Sequence, residues 1–444
     1  MLSVVVLLMF FILFGMMILD KEKQPFIYVF VSLILFPPCV YFTVSPQVSP
    51  QHLFLYVSFA LMLIWDLKTL KLGFLQHPLL IPILLSFGSI VLSVFHNGDG
   101  VKGLYNAFRF FVENYGYLFI AFMGGLNYKS IRLEEKWFYP ILILLVLGIL
   151  ETMLQSNFIF PMICSAFPFY DGFYDLSGTI SAARSYRSRI IITTIHPTAL
   201  GGFLSCSLIM LTCKLKQLSW NKVTKIVAWI ALLLLTYLSG SRTAVVCALM
   251  GLAFYGFLKV GIRLRFFVIF VAVFMAVEVA PKAIEKFSVE GKGSSIALRQ
   301  QQLLFSYVQF MKSPIYGNGV RYTSKYIMER DAYNERITDE EIGGLESVIF
   351  FKLIDYGLLG LLSYLLLFFW TFVYFFRRKQ DSTFAMAGMI ITFCFFAFAC
   401  FSGEIGGNNC FAYMLIGYCL GACQAEKQKK SDEIVCKKEV VGSV

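Results

Sequence analysis

The feature that most constrains this chain is the length of its apolar runs. Stretches such as "VVVLLMFFILFGMMIL" from Val4 and "LLGLLSYLLLFFWTFVYFF" from Leu358 are close to or beyond what a bilayer's hydrocarbon requires. Inside hydrocarbon the backbone must satisfy its own N–H and C=O groups, so segments of this kind cross as helices. Of 444 residues, 58% are hydrophobic and 15% charged, and the apolar residues come in blocks rather than at amphipathic spacing. The chain therefore reads as a polytopic integral membrane protein, all-α, forming a single membrane domain over residues 1–444.

Near-spanning runs fall at 2–19, 26–44, 51–65, 78–95, 107–126, 138–154, 196–213, 224–238, 243–258, 266–280, 347–376, 384–401 and 410–423. They predict about thirteen transmembrane helices. The first run has neither a basic region before it nor a small-residue cleavage site after it, and reads as a retained helix. The formal net charge of +11 does not point to nucleic acid, because Lys and Arg are spread over the connections and form no single patch. If the spans alternate, "DKEK", "DLKTLK", "KSIRLEEK", "KLKQLSWNKVTK", "KVGIRLR", "RRK" and the charged tail 424–444 share one side. The positive-inside rule makes that side cytoplasmic, with the C-terminus on it. Most of the eleven cysteines lie within apolar segments, and no Cys-x-x-Cys or Cys/His spacing of a metal site occurs. They read as small core residues, with no disulfide framework and no bound metal.

Two long connections remain on the outer side, 155–195 and 281–346, and long loops without spanning character usually carry function. In the second, "SIALRQQQLLFSYVQFMKSPIYGNG" sets Leu303, Tyr307, Phe310 and Met311 on one helical face before Pro314, Gly317 and Gly319 end the helix. It reads as an amphipathic helix on the outer surface. Outer-loop aromatics Phe167, Phe169, Tyr170, Phe173 and Tyr174 have two readings, stacking on sugar rings or packing on the bilayer surface.

Basic residues gather on the same outer side. Arg242 stands in a short turn, "LSGSRT", between two apolar runs; Arg184, Arg187 and Arg189 precede the seventh span; Arg299 and Arg321 lie in the second loop. A guanidinium fork binds phosphate oxygens bidentately and does not deprotonate, so these residues suit a phosphate or pyrophosphate at the outer leaflet. For Arg242 the competing reading is an interfacial anchor, and for Arg184 and Arg187 a solvated loop charge. His196 before Pro197 reads first as a helix-start residue and only second as a catalyst. Glu346 opens the eleventh span and could take a proton from a hydroxyl, although the acidic run before it equally allows a plain surface carboxylate. Lys352 and Asp355 are spaced to neutralise one another. No Gly-x-Ser-x-Gly, Walker loop, His-Glu-x-x-His or Asp-rich diphosphate motif occurs, which argues against hydrolases and nucleotide-driven machines.

Three stretches in order resemble the bacterial O-antigen polymerase and O-antigen ligase superfamily. "RIIITTIHPTALGGFL" is similar to that family's arginine followed eight residues on by a Pro-Asn or Pro-Thr pair at a helix start, which maps onto Arg189 and Pro197. "LSGSRTAVVCALMGL" is similar to its Gly-Ser-Arg segment, mapping onto Arg242. "SPIYGNGV" and "ESVIFFKLIDYGLLGLL" resemble its Pro-x-x-Gly-x-Gly turn and the later helix with Gly-Leu-x-Gly, mapping onto Pro314, Gly317, Gly319, Glu346, Gly357 and Gly360. Together they cover roughly 184–362. One departure stands out: where the ligase branch usually carries histidine-asparagine, this chain has Glu346-Ser347.

The resemblance implies a polymerase of surface polysaccharide, of O-antigen or capsule type, in the bacterial inner membrane. Such enzymes transfer a glycan from undecaprenyl pyrophosphate to a sugar hydroxyl without nucleotide, metal or other cofactor. Arg189 and Arg242 would then clamp the donor diphosphate, with Arg187, Arg299 and Arg321 as further binding residues, and Glu346 would orient or deprotonate the acceptor. The lipid-linked oligosaccharide and membrane lipid are the implied partners, and a chain-length regulator is compatible with them. A ligase is the rival within the family. A flippase is the rival outside it, disfavoured because the spans are nearly free of charge away from their outer ends, Arg109 and Glu113 being the main exceptions, and no halves repeat.

Overall fold

The computed structural model describes residues 2–22, 24–44, 47–65, 67–127, 138–170, 189–260, 295–326, 345, 347–403 and 408–441. It is 78% helix with almost no strand, so the expected all-α class holds. In chain order the helices are α1 Leu2–Ile18, α2 Pro25–Leu35, α3 Pro50–Trp65, α4 Leu67–Leu75, α5 Leu80–His96, α6 Gly100–Leu126, α7 Phe138–Leu154, α8 Ile159–Cys164, α9 Pro197–Lys214, α10 Lys222–Leu238, α11 Arg242–Lys259, α12 Ser295–Phe310, α13 Val348–Phe376, α14 Thr383–Phe401 and α15 Asn408–Val441. Among the described residues four helices, α9, α11, α13 and α14, are long and apolar enough to cross a membrane, and several shorter apolar helices accompany them. The expected thirteen spans are therefore not all matched by helices of that length. The tenth, 266–280, lies outside the described residues.

The second expected span is corrected. Instead of a helix to residue 44, α2 is 11 residues long, which at 1.5 Å per residue covers about half of the hydrocarbon thickness. Pro37 and Pro38 follow it, and a proline pair removes two donors and blocks continuation of the helix. The carbonyls left open at its end are taken by a side chain from the next helix: buried Gln51 Nε2 donates to Leu33 O at 3.3 Å and also to Phe36 O. Beyond the prolines the chain forms β1 (Val40–Tyr41), paired antiparallel with β4 (Phe169–Tyr170), and a small hairpin of β2 (Thr43–Val44) and β3 (Gln47–Val48). Residues 66–77, read from sequence as a bare connection, contain α4.

Burial sorts the helices by position. Helix α9 is 89% buried across its apolar window, whereas α11 is 22% buried. A helix that is apolar all round can occupy the centre of a bundle, and α9 does so, packed against α10, α11, α14 and α15. Helices α6 and α15 approach closely: a Cβ on Gly417 would lie 2.4 Å from Leu118 O, and one on Gly421 2.0 Å from Phe122 O. This Gly-x-x-x-Gly spacing removes side chains from the contact so that the two backbones can meet.

Helix α13 is broken at Gly357, where φ is +63° and ψ −160°. Around the break four of its backbone groups bond to the turn 314–319 rather than to their own helix. Leu358 and Leu359 N–H donate to Pro314 and Ile315 C=O at 2.8 and 3.3 Å, and Ile354 and Asp355 C=O accept from Asn318 and Gly319 N–H at 3.0 and 3.1 Å. The Pro-x-x-Gly-x-Gly turn is thus spliced into the helix. Glycine is needed on both sides, since a Cβ on Gly317 would sit 2.3 Å from Asp355 O and one on Gly357 2.5 Å from Ile315 O. Asn97, at the end of α5, closes the join by donating to Gly317 O at 3.0 Å.

Helix α12 lies where an amphipathic helix is expected, and its orientation is distinctive. Gln302, Ser306 and Gln309 are buried, while Leu303, Leu304, Tyr307, Val308 and Met311 are more than half exposed. The polar stripe faces the protein and the apolar stripe faces away, the arrangement suited to a lipid surface.

Candidate functional site

The turn between α10 and α11 is built by its own small residues. Ser239 ends α10 and donates its hydroxyl to Thr236 O at 2.7 Å; Gly240 takes φ +64°; Ser241 caps α11 by accepting from Ala244 N–H at 3.3 Å. Arg242 is then the first helical residue, and its side chain is exposed. A cation there gains nothing from the helix, because the dipole places positive charge at that end. Arginine and helix terminus together instead favour an anion.

Arg189 reaches the same turn from another segment. A Cβ built on Gly240 would fall 2.8 Å from Arg189 Cγ, so the stem of the arginine lies across the glycine, two residues from Arg242. Ile190 N–H donates to Leu238 O at 3.4 Å, holding segment 189–194 beside the end of α10. Two residues that sequence reasoning did not single out fix this segment. Glu151, in the last turn of α7 and 4% exposed, accepts from Ile191 N–H at 3.0 Å and Ile192 N–H at 2.9 Å, one oxygen to each. Asn157 donates to Ile192 O at 3.1 Å while accepting from the N–H groups of Ile159 and Phe160. A lone carboxylate near the end of an apolar run was the available signal for Glu151.

His196 has the structural role of its first reading: its Nδ1 accepts from Thr198 N–H at 3.2 Å and caps α9, with Pro197 as the first helical residue.

Arg321 is engaged elsewhere. Its φ is +57°, it is half exposed, and its Nη2 lies 3.4 Å from Glu113 Oε2. Glu113 is buried on α6 and also accepts from Arg109 Nε at 2.6 Å and Tyr56 hydroxyl at 2.8 Å, with His52 Nδ1 at 3.4 Å. Arg109 reaches on to Gln47 O. The two charges that stood out within the fifth span therefore form an ion pair, which ties α3, α6 and the turn after Gly319 together. Nearby, Asp355 Oδ1 accepts from the N–H and hydroxyl of Thr323 at 2.8 and 2.5 Å, and the Lys352 ammonium lies 5.0 Å from the Phe110 ring.

Of the remaining expected site residues, Glu346, Arg187 and Arg184 lie outside the described residues. Leu345 and Ser347 on either side of Glu346 are buried, and Val348 N–H donates to Ser402 O at 3.2 Å. Arg299 falls within α12, its side chain outside the description. Phe167 is neither a sugar platform nor a bilayer contact. It is buried among Phe10, Phe36 and Phe42, with ring centroids 5.1 to 6.2 Å away. Phe169 is exposed on β4, and Phe173 and Tyr174 lie outside the described residues. Among the described residues, no three His, Cys, Asp or Glu side chains group as metal ligands would.

Residues 226–365 match a family model described as O-antigen ligase. The match contains the α10–α11 turn, α12, the spliced turn and the first half of α13, and it supports placement in the O-antigen ligase and polymerase superfamily. No curated protein matches the chain.

Proposed function

We propose that this member of the O-antigen ligase and polymerase superfamily is a polymerase of lipid-linked glycan repeat units. The donor is a glycan on undecaprenyl pyrophosphate and the acceptor a sugar hydroxyl of a second lipid-linked unit, both at the outer leaflet of the inner membrane. The observation that carries the reading is the meeting of Arg189 with the Gly240 turn that presents Arg242 at a helix N-terminus. Two guanidinium groups there would hold the donor diphosphate and offset the charge that grows on it as the glycosidic C–O bond breaks. The acceptor oxygen attacks the anomeric carbon, its proton passes to Glu346, and undecaprenyl pyrophosphate departs.

A ligase, which would move a finished glycan to another acceptor, is the second reading, favoured by the description of the matched model. The Glu346-Ser347 pair at the position of the ligase branch's histidine-asparagine favours the polymerase.

The test is a gel of surface polysaccharide from the native organism after deletion of the gene, alone and with an Arg242→Ala copy restored. Glycan capped at a single repeat unit in both strains is expected. Full-length polymer stranded on its carrier would replace the polymerase with the ligase. Unpolymerised units held on the cytoplasmic side would replace both with a transporter.

A further inference from the structure

We propose that Glu151 is a positioning residue of this site, which holds Ile192 in a left-handed backbone conformation and thereby aims Arg189 at the Arg242 turn. This rests on the reading of Arg189 as a donor-binding group.

The starting point is a misfit. Ile192 has φ +53°. A β-branched residue meets its own backbone in that region and stays there only when its surroundings over-determine it. The surroundings here do so from both directions. The N–H is taken by Glu151 and the C=O by Asn157, itself locked to the start of α8. Flanking residues are pinned as well: Ile191 N–H by the other Glu151 oxygen, and the Thr193 hydroxyl by Ile34 O at 2.5 Å. One turn earlier on α7, a Cβ on Gly148 would touch Leu235 at 2.7 Å and Ile190 and Ile192 at 3.3 Å, so α7, α10 and the segment fit closely.

The burial of Glu151 points the same way. A carboxylate at the end of an apolar helix is costly unless its oxygens are satisfied, and amides held by an unusual backbone conformation satisfy them. Anchoring the segment alone would not require a left-handed isoleucine. That conformation turns the chain between the amides held by Glu151 and Pro197 at the start of α9. Arg189 lies three residues upstream of it, its stem across Gly240.

The test measures surface-glycan chain length on gels of the deletion strain complemented by single and double variants, with membrane levels of each followed by a C-terminal tag. Glu151→Gln keeps the size of the side chain but puts an NH2 against an amide N–H. Product per enzyme is expected to fall on the order of ten- to a hundred-fold, the cost of displacing a binding group by about an ångström. Ile192→Gly adopts the same φ without strain and is expected to restore most of the product in the Glu151→Gln background. In an Arg189→Ala background, Glu151→Gln is expected to have little further effect, because two changes acting through one group are not additive. Parental product from Glu151→Gln would overturn the proposal. So would failure of Ile192→Gly to restore product, whether or not it restores a lowered membrane level. Parental product from Arg189→Ala alone would instead overturn the donor-binding reading on which the proposal rests.

Discussion

At the scale of single residues, the proposed diphosphate clamp rests on what a guanidinium can do and an ammonium cannot. Lysine in place of Arg242 would keep the charge at the head of α11 and lose the planar fork. Arg242→Lys should therefore reduce polymer length at normal membrane levels, read on the same gels, and near-parental polymer would remove the clamp from the mechanism. Glu346→Gln should likewise leave the protein in the membrane and lower polymer if the carboxylate takes the acceptor proton. Glu113 makes a different prediction, since it is buried beneath Arg109 and Arg321. Glu113→Gln should destabilise the protein by about 3 kcal/mol by leaving Arg109 without its counter-charge. Removing both partners, as Glu113→Leu with Arg109→Met, should cost less than the single change in detergent unfolding. Arg189 and Arg242 were legible in the sequence because arginine beside hydrocarbon is rare enough to be noticed. Glu151 was not, because its partners are backbone N–H groups some forty residues away, and no spacing rule records a bond to a main chain. Arg321 stood out in the sequence as a loop charge, but its pairing with Glu113 did not, for the same reason of distance along the chain.

At the scale of elements, hydropathy located most helices and missed where they stop. It carried α2 through Pro37 because the strand residues beyond are equally apolar, and it passed over the break in α13 because an isolated glycine at the head of an apolar run is no stop signal by itself. The splice at that break is sensitive to a single methyl group. Gly357→Ala would place a Cβ 2.5 Å from a carbonyl oxygen at φ +63°, and should cost roughly 2 to 4 kcal/mol, seen as a lower unfolding temperature. Gly15 is the contrasting position: nothing lies within 4 Å of a Cβ there, so Gly15→Ala should leave stability unchanged or slightly raised. For α12 the sequence supplied the amphipathic period, and the fold supplied its direction: Gln302, Ser306 and Gln309 turn inward, where Gln309 Oε1 accepts from the Tyr322 hydroxyl and the Ser306 hydroxyl donates to Gln302 O of its own helix.

At the scale of the whole molecule, segments far apart in the chain meet one another: 40–41, read from sequence as the end of the second span, pairs with 169–170, Arg189 crosses Gly240, and 314–319 joins α13 beside the end of α5. On the opposite side the molecule carries a pH dependence at His77, which lies between α4 and α5. Its ring is packed against Phe119 and Phe122, and burial pushes its pKa from 6.5 down to about 3. The unfolded chain takes up this proton near pH 6.5 and the folded chain only near 3, so stability is full above the first value and falls as pH drops towards the second. Unfolding temperature in detergent should decline over that window more steeply for the parent than for His77→Asn, which keeps the acceptor for Leu79 N–H and loses the titrating ring. The spliced helix also bears on how such a chain is made. Residues 314–319 leave the ribosome some forty positions ahead of Gly357, so the turn is made before the helix into which it is spliced. Before they dock, the amides of Leu358 and Leu359 can pair with the carbonyls of Ile354 and Asp355 four residues back in an unbroken helix, and docking exchanges those bonds for the ones to the turn. The join is therefore an exchange of partners, in which a segment made earlier in the chain replaces one turn of the helix's own bonding.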